Sequence, residues 1–413
     1  MINVRKFTLE NGLKLIVHTD KSTPLSAVNL LYNVGSKHEN PEMTGFAHLF
    51  EHLMFSGTKR VPNFDSIIEM AGGESNAFTN SDITNFYITI PTANLETALW
   101  LEADRMAGLD LSAKNLRTQK DVVSEEFRQR YLNQPYGDSM LFLRPLVYKF
   151  HPYRWPTIGM NLSHIENATA QEAKKFFNKF YAPDNSIITI AGNITPGKAH
   201  KLVQKWFGGI SPTNAKPDKF LPEPEQKESR KLILERPVPA NVIFKAWVIP
   251  HRTDPEFHVY DMITDILSGG ESGRLFTSLV REKRIFNDIN SYVSGETDCG
   301  MLIIMGALAE GIPFQVAEEA LMEELELLKK SLVSEYEYQK VINRFESEFY
   351  LNHTGALAKA TALSFHELLG DANSINSEVS NFKSVKRDDI LKISSLKLRE
   401  DRSSTIYYKA IND

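Results

Sequence analysis

His48, Glu51 and His52 stand together inside Thr44–Thr58, TGFAHLFEHLMFSGT. The stretch predicts a helix. Phe46, Leu49, Leu53 and Met54 give it an apolar side, Asn40-Pro41 precedes it, and Gly57 follows its last apolar run. Residues four apart share one helical face, about one turn up. His48 and His52 can therefore offer ring nitrogens to one zinc ion at about 2.0–2.1 Å. Glu51 lies on the same side and can reach a water beside the metal without being a ligand. A general base for metal-assisted hydrolysis has to stand there, since the metal lowers the pKa of its water to about 7 and a carboxylate can take the proton.

Catalytic zinc takes a third protein ligand and keeps one position open. The third ligand is sought in Thr118–Asn133, TQKDVVSEEFRQRYLN, which reads as a helix that buries Val122 and Val123 and carries Glu125 and Glu126. Neighbours on a helix diverge by about 100°, so only one of the two glutamates can face the metal. Taken alone, an acidic pair on a helix is a solvated face.

HLFEH, followed 74 positions after His52 by Glu126, resembles the inverzincin metallopeptidases, the family of pitrilysin, insulin-degrading enzyme and the mitochondrial processing peptidase. The likeness covers essentially the whole chain. FTLENGLKLIVHTDKSTPLSAVNLLYNVGSKHENPEMTGFAHLFEHLMFSGT, ending at Thr58, is similar to that family's first strands and zinc helix. Gly72–Thr79, GGESNAFT, is similar to its GGxxNAxT strand, and HPYRWPTIG (His151–Gly159) and FYAPDNSIITIAGNI (Phe180–Ile194) fit its later landmarks. The nearest branch is the short two-domain one of bacterial type.

The resemblance implies one zinc ion per chain, held by His48, His52 and Glu126, with Glu51 as the base. Glu126 is preferred to Glu125 because the family's ligand is the second glutamate of a V-x-x-E-E element. Gln119 occupies the position of a glutamate that supports the histidines in many members, seven residues before the ligand; its amide can still hydrogen-bond. Asn76, Ala77 and Phe78 match an edge strand to which a peptide substrate adds as a further strand, gaining affinity through main-chain bonds. In the second half, family members carry an arginine and, seven residues on, a tyrosine that hold substrate and oxyanion. Arg281 matches the arginine, but Asp288 stands at the tyrosine position and cannot donate a hydrogen bond at neutral pH. Tyr292 is four residues out of register. Because chains of this family pair to enclose a clamshell-like chamber, the expected assembly is a homodimer, or a heterodimer whose homologous partner supplies the Arg/Tyr pair.

The 413 residues, 42% hydrophobic, are enough for two cores. The net charge of -5 and the lack of a basic tract with interleaved aromatics exclude a nucleic-acid binder. Cys299 is the single cysteine, so there is no internal disulfide, and it reads as a small buried hydrophobe. No apolar run is long enough to span a membrane. MINVRKFTLENG has neither a hydrophobic signal core nor a transit-peptide composition. The chain as numbered reads as cytoplasmic, or periplasmic if a leader has been removed.

The sequence also repeats. TPLSAVNLLYNVGSKHENPEMTGFAHLFEHLMFSG is echoed by VPANVIFKAWVIPHRTDPEFHVYDMITDILSGG, and QKDVVSEEFRQRYLN by QKVINRFESEFYLN, with Glu346 opposite Glu126. The expected domains are 1–212, which holds the metal motif, and 229–413, which has lost it, offering Asp265 but no histidine pair. A Pro-rich linker, 213–228, joins them. Strands such as Leu13–His18, Val28–Asn33 and Ile187–Ala191 alternate with helices such as Glu96–Met106 and Gln171–Phe180. That predicts an α+β fold with helices packed on mostly antiparallel sheets. Val316–Lys330 reads as a surface amphipathic helix with solvated charges. The competing function, a non-catalytic assembly subunit on the same fold, has no need of His48, Glu51, His52 and Glu126 together. A structural zinc domain would require a closed set of four ligands.

Overall fold

The computed structural model describes residues 1–215 and 218–411, so positions 216–217 of the expected linker lie outside the described part. The β-branched stretches of the first half form a six-stranded sheet from β1 (Arg5–Thr8), β2 (Lys14–Thr19), β3 (Leu25–Tyr32), β4 (Glu74–Thr79), β5 (Thr84–Pro91) and β6 (Ser186–Gly192), in the order β1-β2-β6-β3-β5-β4. Only β2 and β6 run parallel; the remaining pairs are antiparallel. Strand β4 therefore lies at an open edge, bonded to β5 alone.

The helices of the first half are α1 (Phe46–Phe55), α2 (Phe64–Met70), α3 (Leu95–Ala107), α4 (Ala113–Phe127), α5 (Ser139–Val147), α6 (Leu162–Glu166), α7 (Ala170–Phe180) and α8 (Pro196–Phe207). A π turn at Arg128–Leu132 prolongs α4. Val123 is fully buried, but Val122, also expected inside, is 45% exposed. The 100° step between helical neighbours explains the difference: once Val123 and Phe127 face inward, Val122 must turn out.

The second half repeats the plan with β7 (Arg230–Arg236), β8 (Val242–Ile249), β9 (Phe286–Ser294), β10 (Gly300–Leu308) and β11 (Ser403–Ala410), ordered β7-β11-β8-β10-β9. Its helices include α9 (Phe257–Ser268), α10 (Phe314–Lys330), α11 (Glu335–Asn352) and α12 (Ala356–Leu368). One face of this sheet packs Trp247 and Leu302 against Ile263 of α9 and Leu321 of α10. The other packs Phe244, Ile303 and Ile406 against Leu143 and Val147 of α5.

The compact units are discontinuous in the chain. The first comprises Met1–Gln129, Trp155–Lys219 and Tyr350–Ser377; the second comprises Arg130–Arg154, Phe220–Phe349 and the chain from Glu378 on. Each sequence repeat thus lends a helix to the other's sheet, α5 in one direction and α12 in the other. In the first unit, Ala360 of α12 meets Ala27 and Ala191, small residues that let helix and sheet approach. Ser364 there accepts from Asn29 (2.8 Å) and donates to Thr189 (2.7 Å), so the polar groups under the helix are satisfied.

Two linker side chains tie that segment to the second unit. The Glu223 carboxylate accepts the N–H groups of Lys149, Phe150 and His151 at 2.7–2.9 Å, and Gln226 donates to the Ser403 carbonyl at 2.6 Å. Helix α10 is amphipathic as expected, but its charges are not all solvated. Glu318 is 9% exposed and 2.8 Å from the Nζ of Lys245, a lysine with no exposed surface, so the pair neutralises itself inside the unit. Among the described residues no helix is long and apolar enough to cross a membrane.

Candidate functional site

Helix α1 starts in a tight corner. Gly45 has φ +93°, and a Cβ there would come within 2.7 Å of the Ile158 carbonyl oxygen. The free N–H groups of the first turn are met by a buried carboxylate: Glu39 accepts from Gly45 through Oε2 and from Ala47 through Oε1, both at 2.8 Å. Burial pushes the Glu39 carboxyl up to about 8, against the pull of these N–H groups. The apolar side of α1 buries Phe46, Leu49, Phe50, Leu53 and Met54, with Phe50 stacked on Phe176, Phe177 and Tyr181. That packing fixes the roll of the helix and turns His48 and His52 toward α4 and Glu51 toward β4.

From α4 comes Glu126. Its Oε2 lies 3.2 Å from Nε2 of His48 and 3.2 Å from Nε2 of His52, and the two imidazoles stand nearly perpendicular at 4.8 Å between centroids. Glu125 points away; it is exposed and accepts from Gln129 at 3.0 Å. Glu51 does not join this convergence. Its Oε2 is 3.5 Å from Nδ1 of His48 and accepts the Thr79 hydroxyl at 2.7 Å. Gln119, two turns before Glu126 on α4, makes no recorded hydrogen bond among the described residues.

Burial pulls the His48 imidazole down, but its hydrogen bonds to Glu126 and Glu51 outweigh that and carry it up to about 9. For Glu51 burial pushes up, and the bonds from His48 and Thr79 win, leaving it below the usual glutamate value. The two carboxylates thus favour positive charge at His48. Two imidazole nitrogens and one carboxylate oxygen, all within 4.8 Å of one another, are a donor set that suits zinc. Among the described residues this is the one such group of three.

Strand β4 passes beside the cluster. Ser75, Ala77 and Thr79 turn their side chains to the α1 face, and Asn76 and Phe78 to the α12 face. The Ala77 N–H is taken by the Asn76 side-chain carbonyl at 2.8 Å, and the Asn80 N–H by the Ile83 carbonyl at 2.9 Å. In an antiparallel ladder main-chain groups alternate in direction, so those of 75, 77 and 79 face the open edge. Phe78 borders a cavity of about 700 Å³ lined by Leu31, Tyr87, Leu357 and Phe365.

Arg281 belongs to the second unit. Its exposed guanidinium lies 3.9 Å from Glu271 and over the Phe276 ring. Asp288 is exposed on the edge strand β9, and Tyr292, at an even spacing from it, shares its face. The Cys299 thiol is partly buried, and that burial pushes its pKa well up. Sequence reasoning missed Glu39, which caps α1 from six residues before Gly45, outside any local capping pattern. It also missed the role of Thr79, although the GGxxNAxT pattern contains it.

The insulinase model of peptidase family M16 matches residues 14–139, and the model of the M16 peptidase inactive domain matches residues 167–345. The chain belongs to peptidase family M16. The zinc protease PqqE of Helicobacter pylori is 28% identical over 414 residues, covering 97% of this chain and 92% of that protein. The zinc protease YmxG of Bacillus subtilis is 26% identical over 385 residues, covering 92% and 91%. Among solved structures, a protease from Helicobacter pylori matches with a TM-score of 0.93 at 28% identity, covering 99% of this chain and all of that one. Pitrilysin matches in fold with a TM-score of 0.78 at 19% identity, and this chain spans 45% of it.

Proposed function

We propose that this M16 member is a zinc-dependent endopeptidase for peptides or unfolded polypeptides, and that it is the catalytic subunit of a dimer. The observation that carries the reading is the convergence of His48, His52 and Glu126 with Glu51 beside them but outside the donor set. His48, His52 and Glu126 would hold one zinc ion, as the names of the relatives suggest. Zinc so held supplies a Lewis acid and lowers the pKa of water to about 7.

The chain's own residues do the rest. Glu51, charged and anchored through Oε2, takes a proton from the attacking water and returns it to the leaving amine. The open edge of β4, at Ala77 and its neighbours, receives the peptide as an antiparallel strand, with Asn76 Oδ1 giving up the Ala77 N–H as the new strand forms. Phe78 and its cavity meet side chains on the far face. Arg281 has no tyrosine seven residues on, and Asp288 there would repel an oxyanion. A homologous chain carrying both arginine and tyrosine would complete the site.

The test is zinc content and hydrolysis of a quenched peptide by the purified chain, with and without such a partner. Activity in the mixture alone supports the split site. Activity of the chain alone keeps the peptidase and removes the obligate partner. Zinc without hydrolysis in either case overturns the reading in favour of an assembly subunit.

A further inference from the structure

Thr79 sits where two parts of the site meet. It is the last residue of β4, and its main-chain N–H and C=O belong to the edge that stays open, since its neighbours in the alternation, Ala77 and Asn80, show which way the groups point. Its side chain faces the other way, onto α1, and donates to Oε2 of Glu51 at 2.7 Å. The second recorded contact of that carboxylate, with His48, also falls on Oε2. Among the described residues none bonds Oε1. A glutamate on a helix has three side-chain torsions to settle, and a hydroxyl donor on one oxygen settles them.

We infer that Thr79 is a positioning residue: it fixes the Glu51 carboxylate through Oε2, leaves Oε1 to take the proton, and ties that orientation to the strand that receives the peptide. The inference rests on the proposed peptidase reading and gives it a mechanical link, because the residue that steadies the base is also part of the edge on which the substrate backbone lies. A base held by its own helix alone would not register whether the edge strand is in place. One held by Thr79 does.

The test uses the zinc-loaded full chain, with whatever partner activity requires, as wild type, Thr79→Val and Thr79→Ser. Valine keeps the shape and removes the donor; serine keeps the donor. Thr79→Val is expected to lower kcat by about 10²-fold, the effect of a small misplacement of a reacting group, with KM and zinc content unchanged. Thr79→Ser is expected to restore most of kcat. Crystal structures of the zinc-loaded proteins add a readout independent of turnover: the Glu51 carboxylate should leave its wild-type rotamer in Thr79→Val and keep it in Thr79→Ser. The inference is overturned if kcat is unchanged in the valine variant, if both variants lose it equally, if zinc content falls with it, or if Glu51 keeps its rotamer without the hydroxyl. A wild type that hydrolyses nothing would remove the peptidase reading, and the rotamer comparison would still decide the role of Thr79.

Discussion

Helix α1 beside β4 and helix α9 beside β9 are one arrangement built twice, each a helix lying next to the open edge of its sheet. In the first copy a strand hydroxyl reaches the helix, Thr79 to Glu51. In the second a helix hydroxyl reaches the strand: Ser268 bonds Asn290, the Ser291 carbonyl and the Ser291 hydroxyl at 2.8–2.9 Å. The histidines part in the same way. His48 and His258 are both mostly buried, yet His48 rises to about 9, because Glu126 and Glu51 outweigh its burial, while burial helped by Arg252 holds His258 down at about 4. His258 has Glu378 3.8 Å away, and that carboxylate is shared with Arg252 at 3.6 Å. Burial alone does not make a site. His48 has two carboxylates within reach, Glu126 and Glu51, whereas the carboxylate near His258 is shared with Arg252.

Breaking the first copy should have the largest effect. Glu51→Gln removes the base and keeps the donor set, so turnover should fall by at least about 10²–10⁴-fold with zinc stoichiometry intact, checked by peptide hydrolysis alongside metal analysis. Next comes the choice between neighbouring glutamates. Glu126→Gln should weaken zinc binding by more than the roughly 10–100-fold typical of an outer-shell loss, whereas Glu125→Gln should leave it unchanged; titration against a zinc chelator measures both. The reverse order would mean that α4 presents its other face.

The second copy is probed by pH. Below its ordinary value of 6.5 the unfolded chain protonates His258, while the folded chain refuses the proton until about 4. Its contribution to stability is therefore complete above 6.5 and is lost as pH falls toward 4. Burial raises Asp265 to about 6, which acts in the opposite direction, so the informative quantity is a difference between proteins. Lowering pH from 6.5 to 4 should depress the wild-type Tm more than that of His258→Phe, as read by calorimetry. The smallest contrast lies within α4. Val123→Ala should cost about 2 kcal/mol and Val122→Ala less than about 0.5 kcal/mol in denaturant melts, since only the first residue is buried.

Much of the site could be read from residue spacing. The helical period placed His48, Glu51 and His52 on one face, and the expected strands Leu13–His18, Val28–Asn33 and Ile187–Ala191 fall within a few residues of β2, β3 and β6. Glu126 over Glu125 needed the family resemblance, because two adjacent glutamates carry no local signal of which way a helix is rolled. Glu39 was hidden since it caps α1 through a loop that leaves and returns. The exchange of α5 and α12 was hidden as well: an apolar stripe tells a helix to cover something, but not which sheet. The charges of α10 misled for a related reason, as the buried partner of Glu318 is Lys245, far away in the sequence.

That exchange also sets a timetable. Asn29 and Ser364 are 335 residues apart, so at roughly 5–20 residues per second on the order of half a minute separates the emergence of β3 from that of the helix that covers it. His48, His52 and Glu126 leave the ribosome long before the first sheet can be sealed. A nascent chain stopped between Glu126 and α12 holds His48, His52 and Glu126 on an unfinished support. Whether the unit that carries the two histidines is complete is thus decided by one of the last helices to be made.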